Sequence, residues 1–171
     1  MEKNRASARG GQVEIAQHLA ARRAFIEGDV IIDVATADEA GVPSIAIGLG
    51  CIVSVTPPHL TVLVAREQSQ ALLDVLAVTR RVAVVFGQAP AHEALQIKGS
   101  DCLIEPATAV ERDVADAYVR KLGRQLGHLG FGPEQTAVYA GFPVTHLAAL
   151  RFTPTAVFQQ TPGPQAGEPL R

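Results

Sequence analysis

A chain of 171 residues, 47% hydrophobic and only 19% charged, is long enough for one core that buries roughly two thirds of the unfolded surface, and it needs no inter-domain linker. The formal net charge of −2, with arginines scattered or paired rather than gathered into a stripe, argues against a nucleic-acid partner and against an anionic membrane. So low a charge fraction points instead to apolar surface covered by a second copy, most simply in a two-fold homodimer.

Residues 1–11 are polar and end in Gly10-Gly11, which predicts a flexible N-terminal arm. Lys3, Arg5 and Arg9 are not followed by an apolar run, and no stretch of 18 apolar residues occurs anywhere, so the expected location is the cytoplasm. From Gln12 the spacing is helical, with Ile15, Leu19 and Ile26 on one line and Gly28 as the stop. Val30 to Ala37 predicts the first strand. Asp38-Glu39-Ala40-Gly41 is its turn, and Ser44 to Val55 is the second arm of a hairpin. Gly48 and Gly50 in that arm mark either a bulge that curves a barrel or the close approach of another group.

Thr56-Pro57-Pro58-His59 ends the second arm, and Leu60 to Val64 predicts a strand buried on both sides. The polar segment 65–70 leads into a helix carrying Leu72, Leu73, Val75 and Leu76, with Ser69 as its N-cap and Arg66 close by. That combination is either a generic anion site or simply a capped helix. Arg80 and Arg81 close the helix, where basic residues suit the dipole. Val82 to Phe86 and Leu95 to Ile104 then predict a central pair of strands around a turn at 88–91, with Leu95 and Ile97 on one face and Gln96 and Lys98 on the other.

Thr108 to Glu111 has the pattern of a capping box, and Val114, Tyr118, Leu122 and Leu126 carry the stripe of the longest helix. Pro133 to about Ala140 predicts a short second helix. Val144 to Phe158 reads as a closing strand interrupted near Pro154, and residues 159–171 form a proline- and glycine-rich tail laid on the surface. The pattern predicts a mainly β, antiparallel small barrel with peripheral α-helices, a single domain over 12–158.

Chemistry carried by side chains alone is hard to find. The five histidines never fall at i and i+4, and no cluster has metal-ligand spacing, so no metal is expected. Cys51 and Cys102 lie far apart in predicted strands and read as small buried hydrophobes of a reducing compartment. No phosphate-binding glycine loop and no nucleophile elbow occurs. Asp113 and Asp116 sit on a helix surface. With no acid, base or nucleophile legible, the catalytic residues are unknown, and an enzyme of this sequence would need a cofactor to carry the reaction.

The hairpin around Ala37 to Pro43, the strand Leu60 to Val64, the serine-led helix, Arg81-Val82-Ala83-Val84-Val85-Phe86 and Leu95-Gln96-Ile97-Lys98-Gly99 occur in an order that resembles the pyridoxamine 5′-phosphate oxidase-like, FMN-binding split-barrel family. The likeness covers roughly residues 25–106. Phe152-Thr153-Pro154 and Gln160 to Pro164 resemble an uncharacterised bacterial branch.

The resemblance implies a split β-barrel homodimer with two flavin sites at the subunit interface, and an FMN-dependent oxidoreductase of unread substrate. A haem-binding or haem-degrading barrel and a non-catalytic small-ligand-binding dimer are the other classes open. Ser69 matches the serine of the family's phosphate motif, but Gln70 and Ala71 stand where two basic residues belong, and Ala46 and Ile47 stand where an arginine is usual. The implied cofactor-binding residues are therefore Arg66, Ser69 and Gln70 toward the phosphate, with Gln96 and Lys98 from the central strand. FMN is expected to bind weakly. Arg80 and Arg81, about 15 Å away at the far end of the helix, are the poorer phosphate candidates.

Overall fold

The computed structural model describes residues 2–89, 91–135 and 146–170, with side chains from Gly11 onward, His128 excepted. Helix α1 (Glu2–Ile26) is followed by β1 (Ile31–Ala37), β2 (Pro43–Val55), β3 (Pro58–Ala65), α2 (Gln70–Thr79), β4 (Val82–Gln88), β5 (Glu93–Gly99), β6 (Leu103–Pro106), α3 (Ala109–His128), β7 (Leu147–Phe152) and β8 (Pro154–Gln159). All eight strands join in one antiparallel order, β6-β7-β3-β2-β1-β4-β5-β8. The 13-residue β2 belongs to both halves. Its first part pairs with β1, and its second part pairs with β3 after a bulge between Gly48 and Cys51. Both features expected of these glycines are present, a bulge and the close approach of another group. A methyl group at Gly48 would lie 2.4 Å from the Ile32 side chain, so strands β1 and β2 approach there too closely for any Cβ.

Inside the curled sheet, alternate residues of each strand meet. Ile32 and Val34 of β1, Val84 and Phe86 of β4, Leu95 and Ile97 of β5, and Leu60, Val62 and Val64 of β3 are all buried. Leu72, Leu73 and Leu76 of α2 and Leu19 and Ile26 of α1 join the same cluster. A smaller cluster of Leu49, Leu63, Ala65, Ala115, Leu147 and Ala149 lies under α3, so this half of the sheet is covered on both faces, as the unbroken apolar run of β3 requires. The Thr108 capping box is formed: its hydroxyl accepts from the Glu111 amide and the Glu111 carboxylate accepts from the Thr108 amide.

Three expectations need correction. The first helix begins at Glu2, so the Gly10-Gly11 pair lies inside α1 rather than ending a loose arm. Two interior glycines cost about 1 kcal/mol each relative to alanine, which does not stop a helix anchored by the burial of Leu19 and Ile26. The segment Leu95 to Ile104 is not one strand. β5 ends at Gly99, and β6 pairs with β7 at the opposite edge of the order. The strand stops where its partners β4 and β8 begin, at Val82 and Pro154, and the residue there is glycine because the Phe152 ring stands 2.4 Å from where a Cβ would be. The centre of the order is β2-β1, with the β4-β5 hairpin beside it.

The closing segment is interrupted beside Pro154, as expected, and so forms two strands. Thr153 carries the chain from β7, beside β3, to β8, beside β5, and so brings the two ends of the sheet together. Beyond β8 the tail folds back on that strand: the Leu170 amide donates to the Val157 carbonyl and the Gly167 amide to that of Gln159. Of the predicted helix from Pro133, residues 133–135 are helical, and the remainder lies outside the described residues, as does Val144.

Candidate functional site

Among the described residues nothing covers the outer face of the sheet along β1-β4-β5-β8 and the start of β2, and this face is built from the other half of each alternation. Two rows cross it in register. One runs Ile47, Asp33, Val85, Gln96, Phe158, and the next runs Ile45, Ala35, Ala83, Lys98, Ala156. Ile45 is 69% exposed. Alanines in the second row keep the floor low, and apolar side chains make up most of both rows.

Gln96 and Lys98 thus stand on this outer face, as the alternation predicts. The Gln96 side-chain oxygen accepts from the Gln160 amide at 3.4 Å, and the Lys98 ammonium lies 4.7 Å from the centre of the Phe158 ring. Lys98 and Arg81 line one cavity of about 440 Å³ over Ala35, Ala37 and Ala83. Arg81 donates weakly to the carbonyls of Ala37 and Asp38, at 3.4 and 3.3 Å, and so is turned toward the β1–β2 hairpin. Neither cation has a carboxylate partner among the described residues.

The remaining three candidates are elsewhere. Arg66, Ser69 and Gln70 follow the end of β3, in the segment that enters α2 rather than on the strands of the outer face. The Arg66 amide donates to the His146 carbonyl at 2.9 Å, while its guanidinium is exposed. Ser69 is buried and precedes α2, but its hydroxyl makes no capping bond, contrary to expectation. Its backbone instead forms the entry turn, donating to Ala65 and accepting from Leu73. The amide of Gln70 donates to the Asp74 carboxylate at 2.7 Å across one helical turn. Arg66 is therefore the one basic side chain in this cluster.

Two residues of the outer face were not singled out in the sequence. Asp33 is second in the first row, between Ile47 and Val85; it is exposed in the single chain, and partial desolvation by its neighbours pushes its carboxyl above the usual aspartate range. The signal was present in the alternation of Ile31 to Ala37, which puts Asp33 opposite Ile32 and Val34. Arg81 was set aside for its distance from Arg66, a distance that does not matter to its place beside Lys98.

No family model and no curated protein matches the sequence. Solved structures do match. HupZ from Group A Streptococcus superposes with a TM-score of 0.50 at 14% identity, over 86% of this chain and 98% of its own. The chain has the split-barrel fold of the pyridoxamine 5′-phosphate oxidase-like proteins. Other split barrels align over similar lengths. General Stress Protein 26 from Bacillus anthracis gives 0.48 at 15% identity over 90% of this chain and 98% of that one. A pyridoxamine 5′-phosphate oxidase-related, FMN binding protein from Nostoc punctiforme gives 0.42 at 16% identity over 88% and 84%. In this split barrel the uncovered sheet face and the α2 entrance are the two places where predicted site residues gather.

Proposed function

We propose that this split barrel works as a homodimer that binds FMN and acts as an FMN-dependent oxidoreductase in the cytoplasm. The observation that supports the reading is the uncovered apolar face, with Ile45 exposed on β2 at one side of it and Gln96 and Lys98 on β5 toward the other. A face of this kind is stable in water when something apolar covers it. A second copy and a flat heterocycle together would do so. In this reading Gln96 meets the polar edge of the flavin ring, and Lys98 offsets negative charge on it. Arg66, Ser69 and Gln70 take the phosphate, and each site draws on both chains.

The residues fit the ring better than the phosphate. The apolar rows exclude water, whereas the phosphate has one free guanidinium and the first amides of α2, with Gln70 already bonded to Asp74. Bound FMN supplies hydride or electron transfer, and the chain orients it and keeps its surroundings dry. Phosphate ligands this sparse fit poorly with pyridoxamine phosphate as the substrate.

The visible spectrum of freshly purified protein, repeated after adding FMN, tests the reading. Flavin bands that shift on binding are expected. A Soret band would favour haem, and no spectral change at any FMN concentration would leave a barrel that binds some other ligand.

A further inference from the structure

On the other half of the barrel, α3 and the C-terminal end of α1 leave a cavity of about 390 Å³ between them. That volume lies within the range of small-molecule pockets, about 300–1,000 Å³. Its floor is the β2 bulge. Gly50 there has φ +130°, where an L side chain is strained, and a methyl group on it would already stand 3.4 Å from Val114 and 3.6 Å from Tyr118. Helix α3 therefore rides directly on the bulge at that point, and the small Gly50 and Ala117 keep the adjoining space open. Ile26 and Cys51 close the bottom, both buried. Burial first, and the nearby Glu27 carboxylate second, push the Cys51 thiol up, so it stays protonated and acts as an apolar wall.

The charges in the lining are Arg23, Glu27 and Lys121. Glu27 is fully engaged, accepting from the Val53 amide at 2.8 Å and from the Arg23 guanidinium at 2.9 Å. Lys121 has only the Glu27 carbonyl, at 3.5 Å, and no carboxylate partner among the described residues. One positive charge is left in surplus above an apolar floor, while the Glu27 carboxylate would repel a dianion. The geometry points to a binding site here for a small amphipathic carboxylate, its chain on the Ile26, Cys51 and Val114 floor and its carboxylate at Lys121. This site shares no residue with the flavin face and stands whether or not flavin binds.

Isothermal titration of the full-length protein with octanoate, octan-1-ol and octylammonium tests it. Octanoate is expected to bind at least fivefold tighter than octanol, with octylammonium weakest. Ala117→Leu, which fills the cavity with a good helix former, should weaken octanoate at least tenfold. Lys121→Met should reduce octanoate to the affinity of octanol. Both variants should keep the wild-type unfolding temperature and FMN affinity. Octanoate binding unchanged in Ala117→Leu would put the site elsewhere, and unchanged binding in Lys121→Met, or equal affinity for octanoate and octanol, would remove the anion from the proposal. No octanoate binding up to about 1 mM would overturn it altogether.

Discussion

Arg151 on β7 donates to the Glu111 carboxylate on α3 at 2.7 Å, from a side chain 29% exposed to one only 6% exposed. The same guanidinium pairs with Glu105 of β6 and donates to the Thr61 hydroxyl of β3 at 3.2 Å. Because Glu111 is also the acidic member of the α3 capping box, one arginine ties a helix start to three strands of the sheet. Arg151→Met keeps the stem but leaves Glu111 charged and buried without its cation. Breaking a buried pair costs about 3–5 kcal/mol, and partial exposure of Arg151 reduces that to about 2 kcal/mol. A fall in Tm of roughly 4–8 °C by calorimetry is expected, and an unchanged Tm would show that the network contributes nothing.

The same network sets a pH dependence. Burial tends to raise the Glu111 carboxyl. The Thr108 amide, the Arg151 guanidinium and the Thr108 hydroxyl together more than offset this and hold it below the ordinary value of 4.5. A depressed folded-state pKa adds stability that is present above the unfolded value and lost as pH falls through the folded one. Glu111→Gln should therefore be less stable than wild type above about pH 5, and the two unfolding curves should converge in stronger acid. Parallel curves across that range would contradict the assignment.

Asp33 works in the opposite sense. Its carboxyl is raised by partial desolvation, so the cost of ionisation to folding sets in as the pH rises above the unfolded value and is complete above the folded-state one. Asp33→Asn should raise Tm at neutral pH, with the gain vanishing as pH drops below 3.8, the ordinary aspartate value. A second chain laid on this face would bury Asp33 further, so the variant should also associate more tightly. Sedimentation equilibrium would show it, and weaker association would count against the face as the subunit contact.

Gly99 ends β5 at a point where no side chain fits. A Cβ there would stand 2.4 Å from the Phe152 ring and 3.0 Å from the Thr153 carbonyl. Gly99→Ala should cost about 1–3 kcal/mol as overpacking, measured by urea unfolding, and Phe152→Leu in the same chain should recover part of it. Additive losses in the double variant would mean that the ring is not what the new methyl meets.

The phosphate side of the proposed flavin site rests on Arg66. Each charge-assisted hydrogen bond to the phosphate contributes on the order of 1.5–3 kcal/mol, and Gln70 and Ala71 supply no charge. FMN is expected to bind with micromolar or poorer Kd. Arg66→Ala should weaken it at least tenfold while riboflavin binding stays the same. Equal FMN affinity with and without Arg66 would turn attention to Arg81 and Lys98.

What could be read in the sequence was local, and what could not was the neighbourhood of each strand. The β4–β5 hairpin, the faces of Gln96 and Lys98, the capping box and the stripe of α3 follow from periods of two and 3.6 that neighbouring residues carry themselves. The break after Gly99 was hidden because Leu103 and Ile104 continue an apolar string, and the residues that meet Gly99, Val82, Phe152 and Pro154, lie elsewhere along the chain. Ser69 had the residue type of a cap but not the geometry, since its backbone, at φ −104° and ψ 11°, is not in the extended conformation typical of an N-cap. Asp33, Arg81 and Lys98 are brought to one face only by the β2-β1-β4-β5 order, which no local pattern contains.

The claim that one outer face carries both the second subunit and the flavin is tested most directly through Ile45, which is exposed and free of core contacts that a charge would disturb. Light scattering and FMN titration should be run together on wild type and on Ile45→Lys. Wild type is expected as a dimer that binds FMN, and the variant as a folded monomer whose FMN affinity is at least tenfold weaker. A variant with wild-type mass and wild-type FMN affinity would contradict the account.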